Sequence, residues 1–91
     1  MKKIILGSES KYLGKYLKYP KVEFTKEIFA NGEIYIRINE KIIDSEIFII
    51  NSIVNPVNEN LMQLLILIDA VKRAGAKRIN LVTPFLCYTR Q

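Results

Sequence analysis

Five short apolar runs along the chain predict β-strands, at residues 3–6, 22–29, 34–38, 47–50 and 78–83. The run at 34–38 has an isoleucine at every second position, and this period of two is typical of a strand with one buried face. The run at 47–50 is apolar throughout, which favours a central strand covered on both faces. Together these runs indicate that a sheet forms the centre of the protein.

The second and third predicted strands are separated by the dipeptide Asn31-Gly32. Between two apolar runs this dipeptide is the strongest short signal for a β-hairpin, because both residues tolerate a positive φ. We therefore expect an antiparallel hairpin with an exposed turn at residues 29–33.

A first helix is predicted between Ser8, a suitable N-cap residue, and Pro20, which ends it. Its apolar positions recur at helical spacing, with lysines on the opposite side. The predicted apolar face carries Tyr12, Leu13, Tyr16 and Leu17, and the polar face carries Lys11, Lys15 and Lys18.

A second helix is predicted from about Pro56 to Ala74, with Asn55 as its N-cap and Gly75 as the left-handed residue that ends it. Apolar residues cover most of its circumference, whereas a helix on one side of a sheet needs a single apolar stripe. We therefore expect this helix to contact the sheet and also a further partner, either another subunit or a further domain.

The order of these elements predicts the fold class. A strand, a helix and another strand in sequence imply two parallel strands joined by a crossover. We predict an α/β fold with a mainly parallel sheet, flanking helices and one antiparallel hairpin. The length of 91 residues allows one domain at most.

The net charge of +5 is concentrated near the N-terminus. Residues 1–21 contain six lysines and one acidic residue, Glu9, whereas residues 22–91 contain eight basic and eight acidic residues. Basic residues interleaved with aromatic ones could contact nucleic acid or another anionic surface. Because Tyr12 and Tyr16 share the predicted apolar face with two leucines, we interpret them as core residues, and we expect no nucleic-acid partner.

Composition excludes several kinds of site. With one cysteine, Cys87, the chain can form no internal disulfide, and we expect a cytoplasmic location. With no histidine it lacks the usual general base and the usual zinc ligand. Neither a Walker loop nor a dinucleotide-binding glycine motif is present, and no apolar run is long enough to span a membrane.

The predicted turn is one candidate binding segment. Phe29 could stack on a flat base while Asn31 and Glu33 hydrogen-bond to the edge of that base. A plain hairpin turn also accounts for Asn31 and Gly32, and from the residues alone this simpler interpretation is favoured.

The C-terminal residues form a second candidate segment. Arg90 and Gln91 follow the last predicted strand, and ligands of open α/β sheets bind beyond the carboxyl ends of the strands. The guanidinium of Arg90 suits a phosphate group. A frayed terminus is the simpler interpretation of the same residues.

Three segments closely resemble the N-terminal domain of the ribose-phosphate diphosphokinases, or PRPP synthetases. Residues 55–74 have the sequence NPVNENLMQLLILIDAVKRA, residues 29–33 have FANGE, and residues 88–91 have YTRQ. The resemblance extends over essentially the whole chain, in order and without large gaps.

The resemblance implies a transferase that moves the β,γ-diphosphoryl group of ATP, with Mg²⁺, to the C1 hydroxyl of ribose 5-phosphate. It implies ATP-binding roles for Phe29, Asn31, Gly32, Glu33, Arg90 and Gln91. The first four match a loop that holds adenine in a neighbouring subunit's site, and the last two match a pair that contacts ATP.

The family's magnesium-binding histidine and its ribose-phosphate loop lie downstream of Gln91, so the resemblance assigns no catalytic residue and no metal ligand to this chain. We therefore expect residues 1–91 to form a partial N-terminal domain of phosphoribosyltransferase type, without the C-terminal catalytic domain. We expect a homo-oligomer or a longer parent chain, and no activity from the 91 residues alone.

Two alternatives remain open. The chain could be a non-catalytic interaction module that docks on a full-length synthetase or associates with itself. It could also be a small basic nucleic-acid binder, an interpretation that depends on residues 1–21.

Overall fold

The computed structural model describes residues 1–53 and 56–83 of the chain. In chain order these residues form β1 (Lys2–Leu6), a 3₁₀ helix (Ser8–Tyr16), β2 (Phe24–Ile28), β3 (Ile34–Ile38), β4 (Glu46–Ile50), α1 (Val57–Arg73) and β5 (Arg78–Val82). The five predicted strands and the long helix are therefore confirmed, with ends that differ by at most two residues.

The strands form two separate sheets. One is parallel, with the order β1-β4-β5, and the other is the predicted antiparallel hairpin of β2 and β3. The central position of β4 agrees with its continuous apolar sequence. The prediction of an α/β fold with a mainly parallel sheet and an antiparallel hairpin is confirmed.

Helix α1 packs against both sheets. Its buried residues Leu64, Leu67 and Val71 recur every three or four positions, as expected for one helical face. They form one core cluster with Ile5, Val22, Ile36, Ile42, Ile47, Ile49 and Ile53. The sequence analysis expected α1 to contact another subunit or a further domain in addition to the parallel sheet. The hairpin of the same chain provides one such additional contact.

A polar contact also joins the hairpin to α1. The ammonium Nζ of Lys26 on β2 donates to Oε1 of the buried Gln63 at 2.5 Å. The outer side of α1 remains open, since Met62 and Leu65 are 51% and 52% exposed.

The ends of α1 follow the predicted chemistry with a small shift. Gly75 adopts φ +92° and donates its N–H to the carbonyl of Lys72, so the predicted left-handed ending is confirmed. Pro56 is extended, with ψ 121°, and occupies the N-cap position, so the helix begins at Val57. The predicted N-cap residue, Asn55, lies outside the described residues.

The first helix differs from its prediction, because it is a 3₁₀ helix whose N-cap is Gly7. Tyr12 and Tyr16 are 65% and 69% exposed, whereas Leu13 and Leu17 are half-buried. At three residues per turn Tyr12 lies a third of a turn away from Leu13, and Tyr16 is the last residue of the helix, so the apolar face predicted at 3.6 residues per turn does not form. The interpretation of both tyrosines as core residues is wrong.

The face of the parallel sheet that points away from α1 is only partly covered by the described residues. It opens into an apolar depression of about 180 Å³, lined by Ile4, Leu17, Tyr19, Phe48, Ile50 and Val82. Val82 is 43% exposed there. The described residues therefore cover β4 completely on the face towards α1 and only partly on the opposite face, so the prediction of cover on both faces is confirmed for one of them.

Candidate functional site

The turn of the hairpin brings four of the six candidate residues together: Phe29, Asn31, Gly32 and Glu33. The N–H of Phe29 donates to the carbonyl of Glu33 at 2.8 Å, and the N–H of Gly32 donates to the carbonyl of Phe29 at 2.9 Å. These two backbone hydrogen bonds hold the loop closed, and all four residues lie on the surface.

Gly32 determines how the chain reverses direction. It adopts φ +91°, whereas Asn31 does not have a positive φ. The loop is therefore a tight turn followed by one left-handed residue, which is a common three-residue hairpin connection. The expected hairpin is confirmed, and one left-handed residue, Gly32, is sufficient for this loop.

The side chains of Asn31 and Glu33 hold each other in place. Oδ1 of Asn31 accepts the N–H of Glu33 at 3.0 Å, and Nδ2 of Asn31 donates to Oε1 of Glu33. Asparagine often stabilises turns by such a bond to the backbone two residues later. The result is an exposed amide and carboxylate that lie side by side and are already ordered.

Phe29 packs against Tyr35 on the outer face of the hairpin. The two ring centroids are 6.1 Å apart and the ring planes are inclined by 27°. Phe29 remains 48% exposed and Tyr35 remains 44% exposed. Tyr35 thus orients the Phe29 ring, and part of that ring stays open to another molecule.

The parallel strands end together at a second location, the carboxyl edge of their sheet. The N–H of Gly7 donates to the carbonyl of Ile50 at 2.9 Å, and the N–H of Asn51 donates to the carbonyl of Val82 at 3.0 Å. The two remaining candidate residues, Arg90 and Gln91, lie outside the described residues. Their position at this edge therefore stays a prediction.

Asn51 is a residue at this edge that the sequence reasoning missed. It is 1% exposed, and within residues 1–53 and 56–83 neither Oδ1 nor Nδ2 has a hydrogen-bond partner. Its amide occupies the space beside Gly7, where an added Cβ would lie 1.8 Å from Oδ1. A buried polar group without a partner costs about 1–3 kcal/mol. The polar residue directly after the apolar strand β4 was the available signal.

The described residues do not fit a metal ion. Across residues 1–53 and 56–83, no three side chains of His, Cys, Asp or Glu come together as a metal site. In the same part of the chain, no helix has both the length and the apolar character that crossing a membrane requires.

Comparison with known protein families gives a match over nearly the whole chain. Residues 3–91 match the model of the N-terminal domain of ribose phosphate pyrophosphokinase. The ribose-phosphate pyrophosphokinase of Agrobacterium fabrum is 40% identical over 93 residues, which cover 98% of this chain and 30% of the relative. Ribose-phosphate pyrophosphokinase 1 of Listeria monocytogenes is 54% identical over 63 residues, which cover 69% of this chain and 20% of the relative.

A solved structure has the same fold. The crystal structure of phosphoribosylpyrophosphate synthetase from Mycobacterium smegmatis matches 98% of this chain with a TM-score of 0.87 and 35% sequence identity. The match covers 31% of that chain. The present chain therefore spans less than a third of the length of these three relatives.

We predict that Gly32→Ala lowers the free energy of unfolding by about 1–2 kcal/mol, because a residue with a Cβ is strained in a left-handed conformation. No heavy atom lies within 4 Å of the added Cβ, so the loss is conformational and not a clash. Gly32→Asn is the matched variant and should lose less, since asparagine tolerates this region. Urea denaturation followed by circular dichroism measures both, and an alanine variant as stable as the wild type would contradict the prediction.

Proposed function

We propose that this chain, which belongs to the ribose-phosphate pyrophosphokinase family, supplies an adenine-contacting loop and a subunit interface to the synthesis of PRPP from ATP and ribose 5-phosphate. The observation that supports this proposal is the exposed turn at residues 29–33. There an open aromatic ring lies beside an ordered amide and carboxylate.

The chemistry of this turn suits adenine. An adenine base has two aromatic faces, an amino donor and ring-nitrogen acceptors. The Phe29 ring can stack on a face, the carboxylate of Glu33 can accept from the amino group, and the amide of Asn31 can both donate and accept. Because the Asn31–Glu33 bond orders these side chains beforehand, binding costs less conformational entropy.

The phosphate groups of ATP are assigned to Arg90 and Gln91 by the family resemblance. The forked guanidinium of an arginine can donate two parallel hydrogen bonds to a phosphate. The carboxyl edge of the parallel sheet, at which β5 ends beside Asn51, is where open α/β folds bind ligands. When bound to ATP, Mg²⁺ would neutralise phosphate charge, and the described residues hold no site for it.

We predict that ATP shifts the backbone amide resonances of residues 29–33 and of Arg90 in a ¹H–¹⁵N NMR titration. Phe29→Ala should weaken this binding about fivefold or more, because base–aromatic stacking is lost. Ile28→Ala is the matched control, since Ile28 is 54% exposed and neighbouring strand residues point to opposite faces of the hairpin. Equal weakening by both variants, or shifts confined to other residues, would refute the loop assignment.

We predict that the purified 91-residue chain alone forms no PRPP from ATP, Mg²⁺ and ribose 5-phosphate. Phosphoryl transfer depends on positioned metal ions and cationic groups, and this chain corresponds to 30% of the length of its Agrobacterium fabrum relative. A full-length relative serves as the positive control in a coupled assay for AMP release. Stoichiometric formation of PRPP and AMP by the chain would overturn the prediction.

A non-catalytic interaction module is the second candidate function. The observation that favours it is the apolar outer side of α1, where Met62 and Leu65 are each about half exposed. Exposed aliphatic side chains that are neighbours on one helix face are typical of a protein interface. Such a module would associate with itself or dock on a full-length synthetase.

If the chain is such a module, we predict that the double variant Met62→Lys, Leu65→Lys self-associates at least tenfold more weakly, as measured by sedimentation velocity. The reason is that association would bury two ammonium groups, which is unfavourable. Tyr12→Lys with Ile43→Lys is the matched control, because these residues are 65% and 66% exposed and lie outside α1, and the substitutions add the same two charges. A wild-type chain that is monomeric at all concentrations, and that fails to bind a full-length relative, would exclude the module.

A further inference from the structure

Three tyrosines and three lysines form an exposed surface on the 3₁₀ helix and the residues that follow it. This tyrosine–lysine surface consists of Lys11, Tyr12, Lys15, Tyr16, Lys18 and Tyr19. The three tyrosines are 65%, 69% and 50% exposed. The proposed adenine loop and the outer side of α1 use none of these residues, so the surface has no role in the functions proposed above.

The 3₁₀ helix and the residues that follow it have a side that faces the protein and a side that is exposed. Ser10 is buried, and Leu13 and Leu17 are half-buried, so these residues form the side that faces the protein. Tyr12 lies a third of a turn from Leu13 at three residues per turn, and Tyr16 is the last residue of the helix. The ammonium of Lys15 lies 5.1 Å from the centroid of the Tyr16 ring. Aromatic rings and cations are therefore neighbours on one exposed surface.

The charges of this surface are not balanced by the rest of the protein. Residues 1–21 carry six lysines and one acidic residue. Among the described residues, Lys3 pairs with Glu40 and Arg73 pairs with Asp69, whereas Lys11, Lys15 and Lys18 form no ion pair. Uncompensated cations beside open aromatic rings complement a partner that is both anionic and aromatic.

A cavity adjoins this surface, between the 3₁₀ helix and β2. Its volume is about 310 Å³, at the lower end of the range for ligand pockets. Lys11 and Lys21 contribute positive charge to its lining, and Leu6, Val22 and Phe24 contribute apolar area. Glu23 is the acidic residue of the lining. The cavity has space for a phosphate group close to two lysines.

We propose that the tyrosine–lysine surface binds single-stranded nucleic acid, with bases stacked on Tyr12 and Tyr16 and phosphates near Lys11, Lys15 and Lys18. Single strands expose bases for stacking, which a duplex does not. A membrane fits less well, because the leucines of this helix face the protein and cannot insert. A symmetric contact with a second copy of the chain would bring the same positive charge against this surface and would be repelled.

The first test is fluorescence anisotropy with labelled U₁₂ and dT₁₂, which distinguish RNA from DNA as the source of the strand. Binding should weaken steeply with salt, with a slope of roughly −2 to −3 in log K against log [salt] for three or four phosphate contacts. Anionic vesicles of phosphatidylserine and phosphatidylcholine are the membrane probe. Binding to vesicles in preference to both oligonucleotides would overturn the proposal.

The second test separates stacking from charge. Tyr12→Ala with Tyr16→Ala should weaken oligonucleotide binding about fivefold or more for each tyrosine, whereas Tyr12→Phe with Tyr16→Phe should retain it, since the rings remain. Circular dichroism and thermal unfolding check that each variant is folded. If the phenylalanine pair binds as weakly as the alanine pair, the stacking role is refuted even where the alanine pair fails to fold.

The third test uses matched charge reversals. Lys15→Glu with Lys18→Glu should lower affinity at least tenfold, while Lys72→Glu with Lys77→Glu changes the net charge equally at exposed positions elsewhere. Equal losses from the two pairs would indicate diffuse attraction without a surface site and would overturn the proposal. Phe29→Ala should leave oligonucleotide binding unchanged, which separates this surface from the adenine loop.

Discussion

The burial of α1 between the parallel sheet and the hairpin is the interaction on which the rest of the structure depends. Leu64, Leu67 and Val71 lie at the centre of a core to which both sheets contribute. Each such side chain contributes about 1.5–3 kcal/mol on burial. The two sheets are hydrogen-bonded separately, and their shared contact with α1 joins them. The contact between Lys26 and Gln63 adds a polar bond to this junction.

This packing leaves the residues with candidate chemistry on the outside of the protein. With the isoleucines of β3 packed against α1, the aromatic pair of Phe29 and Tyr35 is exposed on the opposite face of the hairpin. The basic N-terminal segment is fixed at its far end by backbone hydrogen bonds: the N–H of Ile4 on β1 donates to the carbonyl of Pro20, and the carbonyl of Ile4 accepts from the N–H of Val22. Because β1 and residues 20–22 are hydrogen-bonded to each other, the 3₁₀ helix between them lies against the sheet, with its tyrosines exposed.

The sequence predicted the parts of the fold that depend on local pattern. The isoleucines at every second position identified β3, the continuous apolar run identified β4 as the central strand, and Gly75 marked the end of α1. The turn at residues 29–33 was also located correctly, whereas its role in binding adenine stays a prediction. The first helix was located, but its 3₁₀ type and the exposure of its tyrosines were not predicted, because apolar spacing alone does not distinguish 3.6 from three residues per turn in a short segment that contains Gly14.

Local chemistry in the sequence therefore determined the strands, the hairpin, the long helix and the family. Apolar periodicity and turn-forming residues act within a few positions of the chain, and the family motifs are short segments of sequence. The tertiary structure alone decided which side chains share an environment: it placed the hairpin on α1, exposed Tyr12 and Tyr16, and buried the amide of Asn51 beside Gly7. These outcomes depend on contacts between residues that are far apart in the chain, and a local sequence pattern does not predict such contacts.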